Sequence, residues 1–209
     1  NTLTVRANGL SIANGSVIGT GAGPLSLIGA TDATSIGLVG GSGTFNISQT
    51  VLTAIGSGSV ATLNIGASGG TETITIGAST LAVPTNFRAN GTGGLITIAG
   101  NVTAPTVTFT GAASVSGTRT VDTSAGNGNI SFTSTLNGTT ASTDLLTLAA
   151  GTGGNISVTG AVGGTTTLNA FQVNSANNIT LVAVNAGLIS LTSTGATGTL
   201  NLNGLLSAT

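Results

Sequence analysis

The chain has 209 residues with three Arg, no Lys and four acidic residues, so its net charge is −1 and it has no basic surface for nucleic acid. It has no His and no Cys, which excludes His-dependent triads, thiolate metal sites and disulfides; we predict no cofactor and no enzymatic activity. Apolar residues come in twos and threes, far short of the roughly 20 that a membrane-spanning helix needs, so no membrane span is predicted.

The first quarter of the chain predicts short strands separated by tight corners. Apolar residues alternate with Thr or Ser in Leu3-Thr-Val5, Leu10-Ser-Ile12 and Leu25-Ser-Leu27. A period of two is typical of a strand with one buried and one solvated face. Gly19-Thr-Gly-Ala-Gly23 predicts a corner. No window has the apolar spacing of a long amphipathic helix, so none is predicted.

One short phrase, with two aliphatic or aromatic residues flanking Thr or Ser, then recurs five times along the chain. The predicted core residues of the five copies are Ile74 and Ile76, Ile96 and Ile98, Ile130 and Phe132, Ile156 and Val158, and Ile179 and Leu181. The steps between first residues are 22, 34, 26 and 23, and Leu200-Asn-Leu202 follows 21 residues later. A degenerate copy at Val107-Thr-Phe109 splits the long step. We interpret all copies as equivalent strands.

A repeat of this length, rich in Gly and Asn, predicts an all-β fold: a parallel β-solenoid of about nine or ten coils of roughly 20–23 residues. We expect one domain over residues 1–209 and no helical cap. Neither residues 1–20 nor residues 191–209 resemble a cap, so both ends should expose unpaired strand edges. The ends then join further coils of a longer chain or pair with another copy in a homo-oligomer or polymer.

Asparagine precedes the strand in three of the phrases, at Asn129, Asn155 and Asn178. Asn and Gly tolerate the backbone conformations of tight corners. We therefore predict that these three side chains stack as a structural ladder along one corner, with no ligand.

Three other patterns bear on alternatives to a purely structural role, which remains the favoured interpretation. Gly66-Ala-Ser68-Gly-Gly70 matches the hydrolase pattern G-x-S-x-G, but the chain has no His base. Asp122 and Asp144 are 22 residues apart and could stack about 5 Å apart on adjacent coils, close enough for a retaining polysaccharide-cleaving pair, which is the less favoured alternative; no catalytic residue is predicted. Thr-rich runs such as Thr106-Val-Thr108-Phe-Thr110 suit a flat face that binds glycan or ice, although they are not in step with the Ile phrases.

With its repeated Gly-Asn-Ile-Ser-Val and Asn-Ile-Thr-Leu phrases, the chain resembles the β-solenoid shafts of bacterial filamentous haemagglutinins and autotransporter adhesins. The resemblance implies a secreted, extracellular or cell-surface protein that serves as a stalk, adhesin or biofilm-matrix fibre, with a surface glycan as a partner. The family's secretion motif Asn-Pro-Asn-Leu does not occur in this chain. We therefore expect an extracellular structural protein, a shaft segment or a head-to-tail filament protomer.

Overall fold

The structure, a computed structural model, describes residues 2–13, 15–56 and 58–209, and it confirms a parallel β-solenoid of about nine turns. Its strands form three sheets of nine, seven and six strands, and every paired strand is parallel to its neighbour. Successive coils therefore stack with the same strand direction, as expected when each repeat contributes one strand to each face.

The strands are listed here by sheet. The nine-stranded sheet contains β1 (Leu3–Ala7), β2 (Gly23–Gly29), β5 (Val60–Ile65), β8 (Thr85–Ala89), β11 (Val107–Gly111), β14 (Ile130–Phe132), β17 (Ile156–Val158), β19 (Ile179–Leu181) and β21 (Leu200–Leu202). The seven-stranded sheet contains β7 (Ser79–Thr80), β10 (Val102–Thr103), β13 (Thr118–Asp122), β16 (Leu145–Ala149), β18 (Leu168–Ser175), β20 (Val184–Leu191) and β22 (Leu206–Ala208). The six-stranded sheet contains β4 (Phe45–Ile47), β3 (Ile36–Leu38), β6 (Thr73–Ile76), β9 (Leu95–Ile98), β12 (Ala113–Val115) and β15 (Leu136–Gly138).

The interior is filled by columns of side chains that repeat from coil to coil. In the nine-stranded sheet, Phe87, Phe109 and Phe132 occupy one register position on three consecutive strands. All ten side chains that the phrases assign to the core are at most 1 % exposed. Alternation along each strand thus buries one set of residues and leaves the Thr, Ser and Asn set outside.

The interpretation of the five phrases as copies of one strand is wrong. The phrases at Ile74 and Ile96 form β6 and β9 of the six-stranded sheet, whereas the other three form β14, β17 and β19 of the nine-stranded sheet. The 34-residue step from Ile96 to Ile130 therefore leads from the six-stranded sheet to the nine-stranded sheet. Val107 pairs with Ile130 and starts the second series. Because both faces bury the same alternating pattern, the phrase alone does not distinguish them.

One short α-helix, α1 (Gln49–Gly56), was not predicted. The helix lies in an insertion between Leu25 of β2 and Leu63 of β5, two residues that are paired on adjacent strands. Its side chains Val51, Leu52, Ala54 and Ile55 are buried. The Gln49 side chain donates to the Thr80 carbonyl at 2.8 Å and accepts from the Thr80 N–H at 3.2 Å. Gln49 thereby completes hydrogen bonds at the N-terminal edge of the seven-stranded sheet.

Candidate functional site

The predicted corner residues Asn129, Asn155 and Asn178 lie on three consecutive coils, each directly before its strand. The Asn129 side-chain carbonyl accepts the Asn155 N–H at 2.8 Å, and that of Asn155 accepts the Asn178 N–H at 3.2 Å. The Asn178 side-chain carbonyl in turn accepts the Thr199 N–H at 3.0 Å. Each asparagine thus bonds a backbone donor of the following coil.

The same device occurs at corners that the phrases did not single out. The side-chain carbonyls of Asn101, Asn127 and Asn137 accept backbone N–H groups of Thr120, Gly153 and Thr165, all on the following coil. In these contacts the side-chain carbonyl of each asparagine holds two coils together, so the corner asparagines have a structural role.

The alternative in which Asp122 and Asp144 stack as a catalytic pair does not agree with the register of the strands. In the register of β13 and β16, Asp122 lies opposite Ala149, while Asp144 receives the Gly117 N–H. Asp144 is therefore five residues, or roughly 16 Å of extended strand, from the partner of Asp122. Carboxyl groups that cleave glycosidic bonds lie within about 10 Å of each other. This pair does not have that geometry.

The carboxylate of Asp144 serves instead as an anchor between coils. It is 2 % exposed and accepts the N–H groups of Gly117, Thr139 and Thr140 and the Thr139 hydroxyl. Burial alone would raise the pKa of Asp144, but the hydrogen bonds from Thr140, Gly117 and Thr139 outweigh it and hold the pKa below its ordinary value. A charged Asp144 therefore stabilises the fold.

Glu72 is a second buried carboxyl, and its pKa shifts in the opposite direction from that of Asp144. Its Oε1 accepts the Ala67 N–H at 2.6 Å, but Oε2 is buried and has no hydrogen-bond partner. A Cβ at Gly70 would collide with this carboxylate, so the Gly-rich corner that matched G-x-S-x-G is space for Glu72. Burial raises the pKa of Glu72, and the backbone N–H groups of Glu72 and Ala67 offset only part of that effect.

The described residues contain no cluster of three or more potential metal-ligating side chains. In the same part of the chain, no helix is both long and apolar enough to cross a membrane.

In the C-terminal coil, side chains are exposed at strand positions that are buried in the preceding coils. Leu200 and Leu202 of β21 are 45 % and 41 % exposed, whereas Ile179 and Leu181, one coil earlier in the same columns, are fully buried. Leu205 is 74 % exposed and helps line an apolar hollow of about 250 Å³ with Val162 and Val184. We call this surface, formed by the exposed side chains of β21, Leu205 and the edge of β22, the terminal coil face.

The terminal coil face also lacks the features that usually protect a sheet edge. Charged side chains, prolines and covering segments are the common means of blocking edge pairing. No charged residue follows Asp144 in the sequence, and the last proline is Pro105. Within residues 145–209, neither a charge nor a proline therefore opposes the pairing of a further strand with β21 and β22.

The N-terminal end differs from the prediction of an uncapped edge. Phe45 and Ile47 lie on β4, the outermost strand of the six-stranded sheet, yet they are at most 1 % exposed. Leu10, Ile12 and Ile18 pack against the core, and the Ile18 N–H donates to the Ala54 carbonyl of α1 at 3.0 Å. Among the described strands at this end, β1, where Leu3 is 40 % exposed, resembles the open C-terminal edge.

The fold and these surfaces define the chain as a parallel β-solenoid repeat protein. Comparison with the models of known families, with curated proteins and with solved structures found no match.

Proposed function

We propose that this chain is an extracellular structural protein, a β-solenoid shaft segment or a filament protomer of a bacterial surface or biofilm matrix, with adhesion as its role. The observation that supports the proposal most directly is the terminal coil face. Its leucines occupy positions that are buried in every preceding coil from Ile130 onward, so one more coil would bury them too.

The energetics favour a strand as the occupant of this face. Covering the exposed part of Leu200 and Leu202 is worth about 1 kcal/mol for each side chain. An added parallel strand also satisfies the free N–H and C=O groups of β21, which a globular partner without a free edge would not do. In a second copy, β1 offers Leu3-Thr-Val5, whose alternation matches Leu200-Asn-Leu202. Head-to-tail pairing is therefore available through the nine-stranded sheet.

The surface chemistry supports a structural role over a catalytic one. Of the described acidic side chains, Asp144 and Glu72 are buried in corners, and Asp32 pairs with Arg6 at 2.7 Å. Asp122 accepts the N–H and hydroxyl of Ser124. Each carboxylate thus contributes to a local structural contact.

Sedimentation and electron microscopy of the purified chain test the assembly. A single solenoid of nine strands is about 40 Å long. We expect rods that are multiples of this length and a sedimentation coefficient that rises with concentration. Leu202→Glu should abolish rod growth because it places a charge at the pairing edge. Val182→Glu is the matched control, because Val182 is 37 % exposed but directly follows β19, which lies one coil before the edge strand β21.

A monodisperse monomer at every concentration, with no rods in the micrographs, would refute self-assembly of this chain. Adhesion is tested separately by displaying the chain on a non-adherent bacterium and counting cells retained on glycan-coated surfaces. We expect more cells to be retained than with an empty display scaffold; equal retention would remove adhesion from the proposal without affecting the assembly result.

A further inference from the structure

The outer face of the nine-stranded sheet carries an unbroken row of hydroxyl groups from β11 to β19. Thr108, Ser131, Ser157 and Thr180 occupy the same register position on four consecutive strands. Within the described residues, none of the four hydroxyls has an intramolecular hydrogen bond, and none is sealed from solvent. We call these four residues the hydroxyl row.

Two further columns flank the hydroxyl row. Thr110, Thr133 and Thr159 lie two residues further along their coils, on the same outer face. The Thr133 and Thr159 hydroxyls reach the carbonyls of Phe109 and Phe132 only at 3.4 Å. On the other side lie Thr106 and the corner residues Asn129, Asn155 and Asn178. The strand pairs between β11 and β21 have no register shift, so the columns stay aligned.

This alignment corrects the expectation that the Thr runs are out of step with the Ile phrases. Because β11 pairs with β14, Thr106-Val-Thr108-Phe-Thr110 is in step with Asn129-Ile-Ser131-Phe-Thr133. The result is a grid with a spacing of about 4.8 Å between strands and roughly 6.6 Å between columns.

Corresponding positions elsewhere in the described chain are occupied differently. On the seven-stranded sheet, the Thr147 hydroxyl donates to Gln172, and Arg119 and Asp122 add charges. On the six-stranded sheet, Thr97 and Ser114 bond to each other at 3.1 Å. In the N-terminal half of the nine-stranded sheet, Asn86 donates to Asn64, which donates to Ser26. The hydroxyl row alone combines regular spacing with free donors and acceptors.

A hydroxyl without a protein partner bonds to water. Because the strands are in register, the bound waters repeat at the same spacing of about 4.8 Å along the row. Between β11 and β19 the three columns contain no charged side chain, and the grid ends at β8, where Arg88 lies opposite Thr110. All five Phe are buried, so the face has no aromatic platform for a sugar ring. A face that orders water and offers neither an aromatic ring nor a charge matches the surface of ice, in which water molecules are held in a lattice.

We propose that the outer face of β11, β14, β17 and β19 binds ice through the hydroxyl row. The proposal goes beyond the structural role and does not depend on the terminal coil face, because the row lies on the side of the solenoid and the paired edges lie at its end.

Thermal hysteresis of the purified chain tests the proposal, with crystal shape observed as ice grows slowly. We expect a gap between melting and freezing temperatures and faceted crystals. Ser157→Lys should abolish both, since it places a long charged side chain at the centre of the row. Ser190→Lys is the matched control, because Ser190 is exposed on β20 of the seven-stranded sheet. Far-ultraviolet circular dichroism checks that both variants keep the fold.

No hysteresis in the wild-type chain, or equal hysteresis in the two lysine variants, would overturn the proposal. A parallel sedimentation assay with insoluble cellulose and chitin covers the competing ligand: retention on either solid, lost in Ser157→Lys and without any hysteresis, would assign the face to neutral polysaccharide and refute ice binding. Leu202→Glu should retain wild-type hysteresis per molecule even if it is monomeric, which separates this proposal from the assembly proposal.

Discussion

The stack of Phe87, Phe109 and Phe132 provides a sharp test of how the coils hold one another. The ring centroid of Phe109 lies 5.5 Å from that of Phe87 and 4.5 Å from that of Phe132, and the planes are within 14° of parallel. Each aromatic pair contributes about 0.5–1.5 kcal/mol beyond burial. Phe109→Leu removes both pairs and leaves an aliphatic side chain, so we expect the free energy of unfolding to fall by about 2–4 kcal/mol when loss of fit is included.

Urea unfolding followed by far-ultraviolet circular dichroism measures this change, because the chain has no Trp or Tyr. Phe171→Leu is the control: Phe171 is equally buried but has no stacked ring among the described residues, and its loss should cost about 1 kcal/mol. A double-mutant cycle of Phe87→Leu and Phe109→Leu should show a coupling energy of about 0.5–1.5 kcal/mol. Equal costs for Phe109→Leu and Phe171→Leu, with zero coupling in the cycle, would refute the stacking argument.

Three further predictions concern the corners. Asn155→Ala leaves the Asn178 N–H without its acceptor and should cost about 0.5–1.5 kcal/mol in urea unfolding, whereas Asn155→Asp keeps an acceptor oxygen and should cost less; equal losses would contradict the ladder. Because the pKa of Asp144 is lowered in the folded state, the stabilisation from its carboxylate is present above the unfolded-state pKa of 3.8 and is lost as the pH falls through the folded-state pKa. Asp144→Asn should therefore be less stable than wild type at pH 7, and the difference in the free energy of unfolding should narrow in acid. A difference that does not depend on pH would contradict the role of Asp144 as an anchor between coils. Because the pKa of Glu72 is raised above 4.5, wild type should lose stability as the pH rises through that folded pKa, and Glu72→Gln, measured by thermal unfolding at a series of pH values, should not show this loss; identical pH profiles would refute it.

The sequence is sufficient to predict the solenoid because two signals agree in it. Alternation of two predicts strands, and recurrence of the phrase at about one coil length predicts their stacking. The burial of Ile130, Ile156 and Ile179 in one column follows from these signals. These signals do not show which sheet a given phrase joins, because Ile74-Thr-Ile76 and Ile156-Ser-Val158 have the same pattern but lie on different sheets.

Features that depend on register or on short local segments could not be predicted. The apolar residues of α1, from Val51 to Ile55, span little more than one turn, which is too short to establish a helical period. The pairing of β11 with β14, which underlies the aromatic stack and the hydroxyl row, agrees with the degenerate copy at Val107-Thr-Phe109, but the phrase does not indicate that Ile74 and Ile96 belong to a different sheet. Leu10 and Ile12 alternate as a strand would, but in the structure they pack against the core outside any strand.

The corner asparagines of the C-terminal half give that part of the solenoid a direction of growth. Asn129, Asn155 and Asn178 each present their acceptor toward the following coil, so a folded coil already holds the group that the next coil's N–H requires. Repeat proteins can nucleate at one place and propagate from neighbour to neighbour. A coil that folds after its N-terminal neighbour is therefore added onto a prepared template. Such an arrangement is suited to folding in the order in which the residues leave a ribosome.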